Sequence, residues 1–123
     1  MLKEKELKEI AEQYGTPCYV FDLASLKKRI EEMRKIAGGK YHLCYSIKAN
    51  PFLIPAMAEL VDHLEVCSPG ELSICENLHV APSKILYSGG NKTPVDIKEA
   101  MTYGVDIFTA ESLKHMHEIS AEA

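Results

Sequence analysis

The rhythm of hydrophobic and polar positions changes once along the chain. In residues 1–14 apolar side chains recur at helical spacing: Leu7, Ile10, Ala11 and Tyr14 share one face, Lys and Glu the other. Gly15 stands where a helix C-terminal glycine belongs, and Thr16-Pro17 cannot continue the helix. The apolar run Cys18-Tyr19-Val20-Phe21 predicts a short strand. Asp22 is placed to cap a second helix with Leu23, Leu26, Ile30, Met33 and Ala37 as its stripe, ended by Gly38-Gly39. Residues 1–40 are therefore expected as helix, strand and helix, with the charged run from Lys27 to Lys35 as a solvated helix face.

From residue 41 to 123 the pattern alternates. Short apolar runs begin near Tyr41, Leu64, Ile85 and Val105, about twenty residues apart. Helical patterns lie after each: Ile54, Met57, Ala58, Val61; Leu72, Cys75, Leu78; Ile97, Ala100, Met101; Leu113, Met116, Ser120. Strands alternating with helices at this spacing predict βαβ units and a parallel sheet. Asn50-Pro51, Ser68-Pro69 and Thr93-Pro94 each set a capping side chain before a proline at the first helical position. Ser68 with Glu71 also fits a capping box, and Gly104 closes the third helix of this series. Four such units suit a partial (β/α)8 TIM-type barrel, α/β in class, which needs about 250 residues when complete. The chain is thus expected to reach halfway round at Ala123, with an open sheet edge prone to aggregation. An open doubly wound sheet is the alternative, although its G-x-G-x-x-G signature is missing.

Alternation along the first of these strands puts Tyr41, Leu43, Tyr45 and Ile47 on one side. His42, Cys44, Ser46 and Lys48 take the other, with Lys48 last, at the carboxyl end where barrel active sites lie. The same reasoning pairs Glu65 with Cys67, on the side of Lys48. A lysine placed there and buried loses hydration in its charged form and becomes a nucleophilic amine, as Schiff-base chemistry requires. On pattern alone a second reading stands beside it, a surface lysine past a strand end with its head in water.

Other chemistry finds little purchase. Ser88-Gly89-Gly90-Asn91-Lys92-Thr93 lacks the glycines of a phosphate-binding loop and reads as a glycine-rich turn into a capped helix, with close approach of backbone to a ligand left open. His115 and His117 are two apart on a helix and make a poor metal pair; His42, His63 and His79 have no ligand spacing, so no metal is expected. The four cysteines contain no C-x-x-C and read as reduced thiols, Cys67 as a small hydrophobe. A net charge of -4 with few aromatics speaks against nucleic acid as partner. No apolar run is long enough for a membrane span and the charged start is no signal peptide, so a cytoplasmic protein is the expectation.

Tyr45-Ser46-Ile47-Lys48-Ala49-Asn50 also carries a resemblance. Together with Tyr14-Gly15-Thr16-Pro17-Cys18-Tyr19-Val20-Phe21-Asp22, Leu64-Glu65-Val66-Cys67-Ser68-Pro69-Gly70-Glu71-Leu72 and Ile85-Leu86-Tyr87-Ser88-Gly89-Gly90-Asn91-Lys92-Thr93, it resembles the barrel domain of the fold-type III pyridoxal-phosphate-dependent amino acid decarboxylases, the diaminopimelate/ornithine/arginine group. The resemblance runs through nearly the whole chain, with the four stretches in family order. It implies that Lys48 joins pyridoxal 5'-phosphate as a Schiff base during decarboxylation of an amino acid, diaminopimelate first, which would place the chain in lysine biosynthesis. It further implies that Glu65 stands where the family keeps an acid near the cofactor, commonly aspartate, and that Ser68 lines the pocket. Glu71 matches a pocket position too, but its capping role is the preferred reading. The family's phosphate-binding glycines, ring-stacking histidine and substrate contacts lie beyond the matched part, so the 123 residues alone are expected to be inactive. The full-length protein is expected to be a homodimer. The readings set beside this one are a non-catalytic pyridoxal-phosphate protein, a structural half-barrel without cofactor, and an alanine racemase-like enzyme. Ala49-Asn50-Pro51-Phe52-Leu53 after the lysine disfavours the last.

Overall fold

The computed structural model describes residues 2–123. They divide into two compact units, one ending at Gly39 and the other spanning Lys40–Ala123.

The first unit contains α1 (Glu4–Tyr14) and α2 (Leu23–Ala37). Glu6 accepts a hydrogen bond from the Lys3 backbone N–H at 2.6 Å, and Lys8 pairs with Glu4 one turn earlier at 2.8 Å. The predicted apolar face exists but is only partly covered: Ile10 and Ala11 are half-buried, α1 has no fully buried residue and Tyr14 is 72% exposed. Asp22 caps α2 as expected, accepting from the Ser25 N–H at 2.9 Å and the Ser25 hydroxyl at 2.6 Å. These bonds push its carboxyl down to about 2. Gly38 ends α2 at φ +61°, and Ile30 alone of the predicted stripe is buried. The strand expected at Cys18-Tyr19-Val20-Phe21 does not form. An apolar run becomes a strand only when a neighbouring strand takes its N–H and C=O groups, and these residues join no sheet among the described residues.

The second unit is the four-stranded parallel sheet that the alternation predicts, its strands β1 (Cys44–Ser46), β2 (His63–Val66), β3 (Ile85–Tyr87) and β4 (Ile107–Phe108) in the order 1-2-3-4. Helices α3 (Ile54–Leu60), α4 (Pro69–Asn77), α5 (Pro94–Tyr103) and α6 (Leu113–Glu122) follow the strands in turn. This is a run of consecutive βα units of a (β/α)8 barrel, without the reversal of strand order that marks a doubly wound sheet.

Each turn is set locally. Asn50, Ser68 and Thr93 all cap through their side chains ahead of a proline, and Thr93 completes a capping box with Asp96. Gly104 ends α5 at φ +106°, a left-handed position that an L side chain resists. Lys84 donates its ammonium to the carbonyls of Ala58 and, at 3.2 Å, Val61, satisfying the last turn of α3.

The core lies between sheet and helices. Leu64, Val66, Ile85 and Tyr87 point into it from the strands, meeting Ile54 and Met57 of α3, Leu72 and Cys75 of α4, and Ile97 and Ala100 of α5, all at 4% exposure or less. In α6 the prediction fails: Leu113 and Met116 are exposed and His115 is the buried residue. Counting apolar residues chose the wrong face because the packed positions of α6 hold His115, Glu118 and Ile119, two of them polar.

Candidate functional site

The other face of the sheet carries the candidate chemistry. The register pairs Ser46 with Glu65, Glu65 with Leu86, and Leu86 with Ile107 across the four strands. Two residues further toward the carboxyl ends, the same alternation brings Cys67 and Ser88 together. The polar face predicted from Ser46, Glu65 and Cys67 is therefore real, and the three stand at the ends of β1 and β2 where the sequence reading put them.

Glu65 is the centre of the cluster. Its Oε1 accepts a hydrogen bond from the Ser88 hydroxyl at 2.8 Å. Ser46, its register partner, and then Ser88 hold its carboxyl below the usual glutamate range, with a smaller pull from the Lys48 charge. The Ser46 Oγ itself is buried and has no partner within hydrogen-bond geometry. Burial, followed by the charge on Glu65, pushes the Cys44 thiol up, which keeps that neighbour uncharged.

Lys48 departs from its predicted setting. It is not the last residue of a strand but sits in a single 3₁₀ turn, Ile47–Ala49, that begins directly after Ser46. It is exposed, whereas Ile47 beside it is wholly buried. The burial expected around Lys48 is not supplied by these residues, and its exposure agrees with the other reading, a surface lysine just past a strand end. Its ammonium lies close enough for Glu65 to feel its charge.

Ser68, expected to line the pocket, spends its hydroxyl on the helix: its Oγ accepts from the Glu71 N–H at 3.3 Å. Glu71 does not close the predicted capping box. Its carboxylate passes the Ser68 backbone and accepts from the Cys67 N–H at 2.8 Å, tying the end of β2 to the start of α4. Cys67 is more than a small hydrophobe, since its Sγ lies 3.2 Å from the Ser88 Oγ.

Two residues escaped the sequence reading as members of this region. Ser88, 6% exposed, continues the alternation of β3 one step beyond the strand, the same extension that had identified Cys67. Lys92 has a side chain only 1% exposed; it donates to the Gly89 carbonyl and lies 4.0 Å from Glu111. Nothing in the spacing of a failed phosphate loop marks a lysine as buried. Gly89 is close-packed, as its glycine suggested, but against protein: at φ +98° an added Cβ would lie 2.3 Å from the Cys67 carbonyl oxygen. A depression of about 920 Å³ between α4 and α5, lined in part by Leu72, Glu76, Lys98 and Tyr103, shares no residue with this cluster.

The family described as "Pyridoxal-dependent decarboxylase, pyridoxal binding domain" matches residues 23–123. The chain belongs to the pyridoxal-dependent decarboxylases. Pyridoxal phosphate is the cofactor that goes with this domain. The chain is 34% identical to the diaminopimelate decarboxylase of Aquifex aeolicus over 112 residues, covering 89% of this chain and 26% of that protein. It is likewise 34% identical over 122 residues to that of Vibrio cholerae, covering 94% of this chain and 29% of the relative. Among solved structures, lysine decarboxylase from Selenomonas ruminantium superposes with a TM-score of 0.84 at 29% identity, over 99% of this chain and 33% of that one. This decarboxylase domain thus spans between a quarter and a third of the proteins it matches.

The residues present fit the cofactor. An exposed primary amine in the turn just past the carboxyl end of a barrel strand is what an aldehyde needs. The buried, unpartnered Ser46 hydroxyl and the anionic Glu65 beside it are polar groups held ready on the same face. No cluster of three or more metal-ligating side chains occurs among the described residues.

Proposed function

We propose that this chain is the cofactor-anchoring part of an amino acid decarboxylase whose substrate is diaminopimelate, with Lys48 as the residue that binds pyridoxal phosphate covalently. The observation that carries the reading is the exposed Lys48 amine just past the end of β1, next to an ionised Glu65. The relatives named above as diaminopimelate decarboxylases support the substrate.

When bound, the cofactor supplies an electron sink for the pair left behind as the α-carboxylate departs as carbon dioxide. The residues of this chain have narrower tasks. Lys48 offers the amine and must lose a proton to do so. Glu65, kept anionic by two hydroxyls, stabilises a positive charge at its side of the site. Ser68 supports the pocket at one remove, by starting α4 immediately after β2. The chain covers 26% and 29% of the two relatives, so we assign it the anchor and not a complete turnover. The homodimeric state and the cytoplasmic location belong to the same proposal and rest on the family resemblance. No helix of the described residues is long and apolar enough to cross a membrane.

The test is direct. The 123-residue chain is incubated with pyridoxal phosphate, reduced with borohydride, digested and mapped by mass. The expected product is a single modified peptide carrying Lys48, absent in Lys48→Ala. Modification at another lysine would overturn the assignment. Carbon dioxide release from diaminopimelate, ornithine or lysine by the longer protein then decides the substrate, and none at all would favour a non-catalytic cofactor protein.

A further inference from the structure

We infer that Ser88 is a positioning residue that fixes the orientation of the Glu65 carboxylate, with the Cys67 thiol as the outer donor of the same hydrogen-bond chain. This rests on the reading of Glu65 as the acid beside Lys48 and adds how that acid is held. The Ser88 Oγ lies 2.8 Å from Glu65 Oε1 and 3.2 Å from Cys67 Sγ. A hydroxyl has one proton to give, and an ionised carboxylate can only accept. The Ser88 proton therefore goes to Glu65, and the only arrangement left for Cys67 is to donate its S–H to the Ser88 oxygen. The chain has one direction, from Cys67 through Ser88 to Glu65.

The scaffold around Ser88 leaves it little freedom. The Ser88 N–H donates to the Val66 carbonyl at 2.7 Å, continuing the β2–β3 ladder one step past the strands. The next residue, Gly89, is packed so closely on the Cys67 carbonyl that no side chain fits between. Ser88 is itself buried. The hydroxyl is therefore held at a fixed height relative to β2, and Glu65 on that strand finds it in one rotamer. The charged and titratable groups that face Glu65 are Lys48, Cys44 and Cys67; Ser88 is the neutral donor, and Ser46 is the neutral register partner across β1.

The experiment follows the Glu65 carboxyl carbon by NMR in the 123-residue chain labelled with ¹³C-glutamate, without cofactor, as pH is lowered. The expected result is a Glu65 midpoint below those of the solvated glutamates. Ser88→Ala moves it up toward them. Ser88→Thr, which keeps the hydroxyl, holds it low, as does Cys67→Ala, which leaves the Ser88 donor in place. A folded Ser88→Ala chain with an unchanged Glu65 midpoint would overturn the inference. Where Ser88→Ala does not fold, the unaltered chain answers instead: an H/D isotope shift on the Glu65 carboxyl carbon reports the hydroxyl bond, and its absence overturns the inference. These readouts are independent of where borohydride traps the cofactor, so failure of the Lys48 assignment and failure of the Ser88 role are separable.

Discussion

Tyr87 brings a phenol into the helix-facing core at 1% exposure. Burial, followed by the acidic residues Asp96, Glu71 and Glu99, pushes its hydroxyl up to about 12. A group raised in the folded state contributes stability that is fully present below its ordinary value of 10 and is lost as pH rises toward 12. We expect the chain to lose on the order of 2 kcal/mol between pH 10 and 12 from this residue. Tyr87→Phe should flatten that loss, measured as urea midpoints against pH, and an equally steep fall in the variant would contradict it. Lys48 is the complementary case. Its identity was legible as a lysine after an alternating strand, and its exposure matches the surface-lysine reading set beside the buried one; the three-residue 3₁₀ turn that carries it is invisible to a period-two pattern. Ser88 was missed for the opposite reason: it looks like turn punctuation and is part of the sheet face.

Elements obey their punctuation more faithfully than their stripes. All three X-Pro pairs in the barrel unit make a side-chain cap, although Asn50 caps the 3₁₀ turn Pro51–Leu53 ahead of α3, because a cap and a proline act on their own few residues of backbone. Thr93→Ala should therefore cost about 1 kcal/mol, seen as a lower urea midpoint with an unchanged slope. Two glycines separate backbone conformation from packing. Gly38→Ala places a Cβ in open space at a left-handed position, a loss of about 1 kcal/mol. Gly89→Ala adds a collision with the Cys67 carbonyl to the same backbone strain and should cost more than about 2 kcal/mol. Equal losses at the two sites would show that the β3–α5 turn shifts freely away from β2. Stripes fared worse at α6, where His115 took the buried place, and at Cys18-Tyr19-Val20-Phe21, which found no partner strand.

At the scale of the whole chain, stability is concentrated in one layer. The residues with no exposure at all, Ile47, Ile54, Leu64, Val66, Cys75, Ile85, Ile97 and Ala100, belong to the barrel unit, and α1 contributes no buried residue. Leu64 lies in β2, hydrogen-bonded on both sides by β1 and β3. Leu64→Ala should remove about 2–5 kcal/mol, a large share of the stability of an ordinary domain, whereas Leu7→Ala at an exposed position of α1 should stay within about 0.5 kcal/mol. Thermal melts of the two variants read the difference; comparable losses would mean that Leu7 is covered in solution. The same layering makes thiol labelling selective: Cys75, wholly buried and with its thiol pushed up to about 11, should react only on unfolding, while exposed Cys18 labels at once.

The sequence by itself determined the alternation of strands and helices, the parallel sheet of a partial barrel, the caps at Ser68 and Thr93, and the family. These follow from local periods and from residues that act on their own backbone, and both are written along one dimension. Tertiary structure decided the rest: that Lys48 stands exposed on a turn, that Ser88 and Cys67 meet Glu65 from neighbouring strands, that Lys92 is buried, and that Cys18-Tyr19-Val20-Phe21 is no strand. Each of these depends on a partner about twenty or more residues away, or on the lack of one, and burial is a property of what arrives from elsewhere in the chain.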